Sequence, residues 1–322
     1  MNDLFVQSVL VLDSTLRVAT PLIFCAMAGI YAERSGIVDI SLEGKMLMGA
    51  FVSATLAHFL GSAFLGLIAA MLVCAAFSLV HGFAAITHRG DQVVSGLAIN
   101  LLASGLTIVI GHALFSRGGQ SPTLYGGERF MPITWYGAEA LGQVPVLGPI
   151  YQHLVSGHNL LVYLGLVMVP LTAFGLYKTR FGLRLRAVGE MPKAVDTAGI
   201  SVIWLRYRAL IIGGLLCGMA GAYLAIAQGA GFGREMSAGK GYIALAAVIF
   251  GNWRPWRAFM ACLLFGFLEV LSARLEGAEL WLIGEVPTQL TQAAPYILTV
   301  LLLAGFIGRP SPPAAIGQPF VK

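Results

Sequence analysis

Long apolar runs alternate with short polar segments over most of the 322 residues. Most of the runs approach the roughly 20 residues that a helix needs to cross a bilayer. None shows the period-2 alternation of an outer-membrane strand. The pattern predicts an all-α polytopic membrane protein, one transmembrane domain over residues 1–322, with about eight to ten spans, some of them interrupted. The apolar runs are Ala19–Tyr31, Ser62–Ile86, Val93–Phe115, Leu160–Tyr177, Ala209–Gln228, Ala258–Ala273 and Thr291–Ile307.

Composition supports a protein solvated by lipid. Only 11% of the residues are charged and 57% are hydrophobic, whereas a soluble domain carries about 25% charged residues. The net charge of +5 comes from basic residues between the runs, which favours lipid headgroups and topology over nucleic acid as the reason for it. The first residues lack a basic segment and a small-residue cleavage site, so we expect the first helix to be retained.

The distribution of basic residues predicts the orientation. Residues 178–208 hold seven of the twenty lysines and arginines, so this loop is predicted to be cytoplasmic. Residues 116–158 then lie outside, as does the acidic stretch Glu276–Glu285, while Arg254, Arg257 and the C-terminal tail lie inside. The outer segment is long and rich in Gly and Pro, and we interpret it as a docking surface for an external partner.

Two stretches differ from simple spans, Gly36–Leu60 and Gly233–Trp253. Each begins with polar residues and glycines, contains a Gly-Lys pair and then becomes apolar. The predicted topology sends them through the membrane in opposite directions. Paired interrupted segments of opposite direction indicate an inverted repeat with these segments near a transport path.

The first of these stretches carries an unusual number of charges. Glu33 and Arg34 are interpreted as anchors at the cytoplasmic interface. Asp39 and Glu43 would share one face if the segment were helical there, and Lys45 could neutralise one of them. Charges inside a span are costly, so the cluster either faces a polar cavity or forms ion pairs within the protein.

Three further polar residues, Asn100, Glu269 and Arg274, lie within apolar runs. Hydrogen bonding between helices is the simplest interpretation of each. Glu269 and Arg274 are five residues apart, a poor spacing for an ion pair on one helix, so at least one of them should pair with another helix.

Small residues predict tight helix packing. A ladder of small residues at every fourth position would let another helix approach closely, and the cysteines lie in apolar runs without a CxxC spacing, as small buried hydrophobic residues do. The ladder is Gly214, Gly218 and Ala222, and the cysteines are Cys25, Cys74, Cys217 and Cys262.

The cytoplasmic loop contains a short bracketed helix. Pro192 suits its first turn and Gly199 its end, which leaves about two turns between them. So short a helix is marginal in water, so it must rest on something. A groove on a cytosolic motor protein is favoured over lipid headgroups, because the helix has little apolar surface.

Enzyme motifs are missing from the sequence. It contains no HExxH, GxSxG or GxxxxGK[ST] pattern and no Cys/His cluster. If ATP drives a process in which this chain takes part, the ATPase is expected to be another polypeptide, and no cofactor is expected in this chain.

Five segments together resemble a known family. The chain resembles the permease subunit of bacterial ABC importers, in the nucleoside and simple-sugar branch of the family that includes ribose-type and branched-chain amino-acid permeases. The match runs in order from residue 33 to residue 257. The segments are "ERSGIVDISLEGKMLMGAF", "DQVVSGLAINLLASGLT", "VPVLGPI", "VGEMPKAVDTAGISV" and "GKGYIALAAVIFGNWRP".

This resemblance implies a half-channel in the bacterial inner membrane, without an ATPase of its own. Its implied partners are a cytosolic ABC ATPase that binds ATP and Mg, a second homologous permease and an external substrate-binding lipoprotein. The residues matching the ATPase-coupling loop are Gly189, Glu190, Pro192, Lys193, Ala194, Asp196 and Gly199. The candidate residues of the translocation path are Asp39, Glu43, Lys45, Asn100, Lys240, Asn252 and Glu269. Relatives often carry Asn at the position of Asp39, so this chain departs from the family there.

Two other functions compete with the importer. A proton-coupled secondary transporter would work without an ATPase and use Glu269 or Asp39 as its proton-linked carboxylate. An intramembrane enzyme is a third interpretation, which the missing motifs do not support.

Overall fold

The computed structural model describes residues 2–135, 147–275 and 311–321, with short pieces at 279–280, 284–285, 293 and 297. The first part contains the helices α1 (Asn2–Arg34), α2 (Leu42–Leu60), α3 (Ala63–Gly82, continued by a π-helical turn Phe83–Thr87) and α4 (Gln92–Phe115), and a 3₁₀ turn Gly126–Glu128. The second part contains α5 (Leu147–Ile150, continued by a π-helical turn Tyr151–Val155), α6 (Leu160–Lys178), α7 (Arg180–Glu190), α8 (Pro192–Thr197), α9 (Val202–Ala222, continued by a π-helical turn Tyr223–Gln228), α10 (Lys240–Phe250) and α11 (Pro255–Leu275). Two short strands, β1 (Glu279–Leu280) and β2 (Gly284–Glu285), pair antiparallel.

The chain is an all-α polytopic membrane protein, as predicted. Within the described ranges, six helices are long and apolar enough to cross a membrane: α1, α3, α4, α6, α9 and α11. α2 has 19 residues, a length of about 28 Å, but it carries two charges near its start. The apolar run Thr291–Ile307 lies almost entirely outside the described residues, so the total of eight to ten spans stays a prediction.

Helices α1 and α9 form the centre of the bundle. In the most apolar 18-residue stretch of each of these helices, 61% and 83% of the residues are buried, compared with 28–33% in α3, α4, α6 and α11. The outer helices expose large apolar side chains such as Leu101 of α4 and Phe64 of α3. Such surfaces are expected where a helix faces lipid, since lipid tails are as apolar as these side chains.

The predicted glycine ladder brings α9 against α3. A Cβ on Gly214 would lie 2.7 Å from Cα of Ala75, and one on Gly218 would lie 2.5 Å from Cα of Met71. Both positions therefore exclude any larger residue while the backbones stay in contact. The four cysteines are free and buried, which confirms their predicted role.

Local sequence explains where several helices begin. The side chain at each N-cap accepts a backbone N–H of the first turn, a group that has no partner inside the helix. Asp91 caps α4 in this way through Val93 and Val94. The other N-caps of this kind are Asn159 of α6, Thr179 of α7 and Ser201 of α9.

The predicted cytoplasmic loop 178–208 is largely helical. α7 and α8 occupy most of it, and α9 already begins at Val202 because Ser201 caps it. Arg206 and Arg208 therefore belong to the first turns of α9, and treating them as loop residues was wrong. Arg206 is only 1% exposed.

Candidate functional site

The two interrupted segments meet where α2 and α10 begin. Glu43, in the first turn of α2, accepts the backbone N–H groups of Gly239 (2.8 Å) and Gly241 (2.6 Å) with its two carboxylate oxygens. The first N–H groups of a helix lack partners within it, and the helix dipole favours a negative group there. Contact this close needs glycine, because a Cβ on Gly241 would lie 2.5 Å from the backbone nitrogen of Glu43. Glu43 therefore fastens one interrupted segment to the other.

Asn100 ties α4 to the same junction. Its Oδ1 accepts the N–H of Gly44 (2.8 Å), and its Nδ2 donates to the carbonyl of Ile40 (3.0 Å) and to the hydroxyl of Tyr242 (2.9 Å). A Cβ on Gly44 would lie 2.7 Å from Cα of Asn100, so α4 and α2 touch at this point. One amide thus satisfies polar groups of both interrupted segments, as predicted for an interhelical polar residue.

Asp39 and Lys45 form a buried ion pair. The ammonium of Lys45 lies 2.6 Å from Oδ2 of Asp39, and both side chains are 0% exposed. The hydroxyl of Ser41 donates to the other carboxylate oxygen at 2.5 Å. α2 begins only at Leu42, so Asp39 precedes the helix, and the expectation that it shares a helical face with Glu43 is wrong. The sequence left two alternatives for this cluster, a polar cavity or ion pairs within the protein. Asp39 and Lys45 form an ion pair within the protein.

Lys240 and Glu269 form a second ion pair, between α10 and α11. The distance from Nζ to Oε1 is 2.5 Å, with the side chains 13% and 39% exposed. This confirms that one of the residues Glu269 and Arg274 pairs with a different helix. The passage of solute past these side chains stays a prediction.

One side of the junction exposes polar groups that the sequence analysis missed. The hydroxyl of Ser104 donates to Oε1 of Glu235 at 2.5 Å, and Glu235 itself is exposed. Tyr242 is 44% exposed beside Asn100. Ser104 lies one turn beyond Asn100 near the middle of α4, so its spacing of four residues was the signal that could have indicated this surface. We call Asn100, Ser104, Glu235 and Tyr242 the polar strip.

The C-terminal ends of α1 and α10 are joined around Asn252 and Trp253. The indole N–H of Trp253 donates to the carboxylate of Glu33, and Nε of Arg34 donates to the carbonyl of Trp253 at 3.1 Å. Oδ1 of Asn252 accepts the N–H of Ser311 (3.1 Å). The structure thus places Asn252 against the C-terminal tail, whereas Glu43, Asn100 and Lys240 cluster at the other end of α10.

The predicted coupling residues lie in the short helix α8 and directly beside it in the sequence. It begins at Pro192 and ends at Thr197, and Gly199 follows with a φ of +78°. This confirms the bracketed helix of about two turns. Val195 is its buried residue, while Lys193 and Ala194 are exposed. The remaining members of the set lie on its flanks or on the helix itself: Gly189 is buried at the end of α7, Glu190 is exposed and Asp196 is half-buried.

The predicted outer segment packs on the end of α9. Its backbone donates to α9 and the stretch that follows, from Phe130 to Ile226 (2.8 Å) and from Leu124 to Ala230 (2.9 Å). His158 is buried close to Asp13. The pKa of His158 lies below its ordinary value, because burial disfavours the charged ring more than the carboxylate of Asp13 favours it. Residues 136–146 of this segment lie outside the described part of the chain.

Comparisons with known proteins agree on one family. The model of the family described as "Branched-chain amino acid transport system / permease component" matches residues 11–303. The guanosine ABC transporter permease protein NupQ of Bacillus subtilis is 42% identical over 319 residues, 97% of each chain. The nucleoside ABC transporter permease protein NupC of Lactococcus lactis is 37% identical over 97% of each chain. The putative glucose ABC transporter permease protein TsgC13 of Haloferax volcanii is 32% identical over 91% of this chain and 90% of its own.

Proposed function

The chain belongs to the permease family of branched-chain amino acid transport systems, and we propose that it is the subunit through which an ATP-driven importer takes up nucleosides. It is an ABC transporter permease and a multi-pass protein of the cytoplasmic membrane. The two relatives with the higher identities are named for guanosine and nucleosides, and the relative named for glucose is less similar. Nucleosides are therefore the preferred solute class.

The single observation that carries the mechanism is the junction where α2 and α10 begin. α10 has only 11 residues, too few to cross a membrane, and half-helices of this kind are typical of transport paths, where their N-terminal ends face polar solutes or side chains. Here Glu43 and Asn100 fasten both starts together, and the polar strip borders them. Polar groups exposed near the middle of a span avoid lipid. The strip therefore faces either a water-filled path or a second permease subunit that completes it.

The strip has the chemistry that a nucleoside requires. The carboxylate of Glu235 can accept hydrogen bonds from sugar hydroxyls, and the hydroxyl of Ser104 can donate or accept. The exposed ring of Tyr242 offers a flat face for a base. No chemistry on the solute is needed, since a permease has only to provide a path and release its cargo.

Helix α8 is proposed as the contact with a cytosolic ABC ATPase. Val195 is the buried residue of this helix, and its exposed residues Lys193 and Ala194 lie close in sequence to Met191, which is 70% exposed. An exposed large apolar side chain next to a short helix fits a groove on a partner. ATP and Mg would be bound by that partner. An external binding protein would deliver solute to the outer segment.

The proposal is tested on the complex isolated from native membranes through a tag on this chain. Reconstituted in liposomes with ATP inside and binding protein outside, it should take up labelled guanosine. Unlabelled nucleosides should compete, whereas glucose and leucine should not, and an uncoupler should have no effect. Replacing Asp196 with alanine should lower the rate of uptake roughly tenfold, the factor that corresponds to the loss of one charged hydrogen bond. The amount of the chain in the membrane should not change.

Two results would overturn it. A chain that is isolated without an ATPase and loses uptake on addition of an uncoupler would be a gradient-driven carrier. Uptake that glucose or leucine suppresses as well as nucleosides do would exclude the proposed solute class.

A further inference from the structure

The C-terminal segment 311–321 returns to the body of the protein, and we call it the strap. Its backbone is bound at three places that are far apart in sequence. The N–H of Ser311 donates to Oδ1 of Asn252 (3.1 Å), that of Ala315 to the carbonyl of Gly189 (2.8 Å), and that of Gly317 to the carbonyl of Gly36 (3.0 Å). Ala315 is only 4% exposed. The strap is therefore an integral part of the fold.

Glycines stand at both of the central contacts of the strap. Gly36 has a φ of +87°, and a Cβ there would lie 3.0 Å from the carbonyl oxygen of Ala315. A Cβ on Gly189 would lie 2.3 Å from the carbonyl oxygen of Arg34 and 3.4 Å from Cβ of Pro313. A larger residue at Gly36 would crowd the strap, whereas a larger residue at Gly189 would clash with Arg34 and only touch Pro313 of the strap.

Arg206 depends on the strap for one of its hydrogen bonds. Its buried guanidinium donates through Nε to the carbonyl of Ser35 (3.2 Å) and through Nη1 to the carbonyl of Gln318 (3.3 Å). Within the described ranges no carboxylate lies at ion-pair distance from Arg206, and its Nη2 has no hydrogen-bond acceptor. A buried charge with so few partners is costly, so removing the strap would leave the guanidinium with a single acceptor.

The strap holds both flanks of α8. On one side it binds Gly189 and the carboxylate of Glu190, which accepts the N–H of Ala314 at 3.3 Å. On the other side it binds Arg206, and Phe320 helps to line a cavity of about 230 Å³ with Asp196 and residues 199–203. A helix of two turns does not hold its own position in water. The strap supplies fixed points for the chain on either side of it.

We propose that the strap and Arg206 position α8, so that a displacement of α8 by the ATPase reaches the two interrupted segments. The strap touches the first segment where it begins, at Gly36, and the second segment near its end, at Asn252. This proposal rests on the proposed function, because it assumes that an ATPase acts on α8. Arg206 and the strap are positioning elements and touch neither solute nor nucleotide.

The test compares two tryptophan substitutions in adjacent residues of the strap. Ala315→Trp places a large side chain at a buried position and should displace the strap, whereas Ala314→Trp changes an exposed residue and serves as the matched control. Both are measured in the reconstituted complex, normalised to the amount of ATPase that co-purifies. The readout is the number of guanosine molecules taken up per ATP hydrolysed.

We expect Ala315→Trp to lower this ratio by about tenfold, the effect of losing one or two buried hydrogen bonds, and Ala314→Trp to leave it unchanged. Arg206→Lys should give an intermediate ratio, because an ammonium keeps the charge but lacks the fork that reaches two carbonyls. If the complex with Ala315→Trp does not assemble, the coupling ratio of the Arg206→Lys complex tests the proposal by itself. Unchanged coupling ratios in the assembled variants would overturn the proposal. Absence of ATP-dependent uptake in the unmodified complex would instead overturn the proposed function.

Discussion

The buried ion pair between Asp39 and Lys45 gives the sharpest prediction about stability. Replacing Lys45 with methionine keeps the unbranched stem of the side chain, one atom shorter, but leaves the carboxylate of Asp39 without its counter-ion. Both side chains are 0% exposed, so bulk water does not reach the carboxylate that the ammonium contacts at 2.6 Å. Removing one partner of a buried pair costs about 3–5 kcal/mol, because an uncompensated charge stays inside the protein.

The double variant Asp39→Asn with Lys45→Met separates the charge from the packing. Its amide oxygen can still accept the hydroxyl of Ser41, which lies 2.5 Å from the carboxylate in the unmodified protein. With both charges gone, no unpaired charge remains buried, and replacing a whole pair is often close to neutral. We therefore expect the double variant to recover at least half of the loss, about 2 kcal/mol.

The four buried cysteines provide the assay. A thiol-reactive dye reports thermal unfolding in mild detergent, because Cys25, Cys74, Cys217 and Cys262 become accessible only as the bundle opens. The control is Lys178→Met, the same change at an exposed position, where an effect within about 0.5 kcal/mol is usual. The reasoning is refuted if Lys45→Met unfolds at the same temperature as Lys178→Met, or if the double variant is less stable than the single one.

Two further predictions concern the junction. Glu43→Ala should lower the free energy of unfolding by about 1–2 kcal/mol, the loss of a helix cap, and the unfolding temperature should fall with it. Glu43→Gln keeps one acceptor for Gly239 or Gly241, so its loss of stability should be smaller. Equal losses in the two variants would show that the cap contributes little. Glu235→Gln should raise the KM for guanosine uptake several-fold at unchanged stability if the polar strip contacts solute, since a charged acceptor for sugar hydroxyls is lost; a normal KM together with poor pairing of permease subunits would place Glu235 in the subunit interface.

The features that the sequence predicts well are those with local causes. Apolar length indicates the spans, because lipid leaves a helix few alternatives. Pro192 and Gly199 bracket α8 correctly, since each restricts the backbone at its own position. The interrupted segments were also predicted, because glycines and polar residues before an apolar run disfavour a continuous span.

The contacts that sequence could not supply join residues far apart in the chain. Glu43 and Gly239 are 196 residues apart, and nothing in either local pattern indicates that a carboxylate of α2 caps α10. Likewise, the spacing rule predicted that Glu269 or Arg274 pairs with another helix, but not that the partner is Lys240. Local periodicity tells which side chains need a partner, whereas the packing of the helices decides which partner they receive.

The two interrupted segments are bound to each other where their helices begin, and both are bound to the strap, and this determines how they can move. At the junction, Glu43 binds the start of α10, and the strap binds Gly36, which precedes α2, and Asn252, which follows α10. Two elements joined at two separate points resist sliding past each other and move more easily as one unit. A displacement of α8 transmitted by the strap would therefore shift the polar strip together with both helix starts, which is what a path that opens alternately to each side requires.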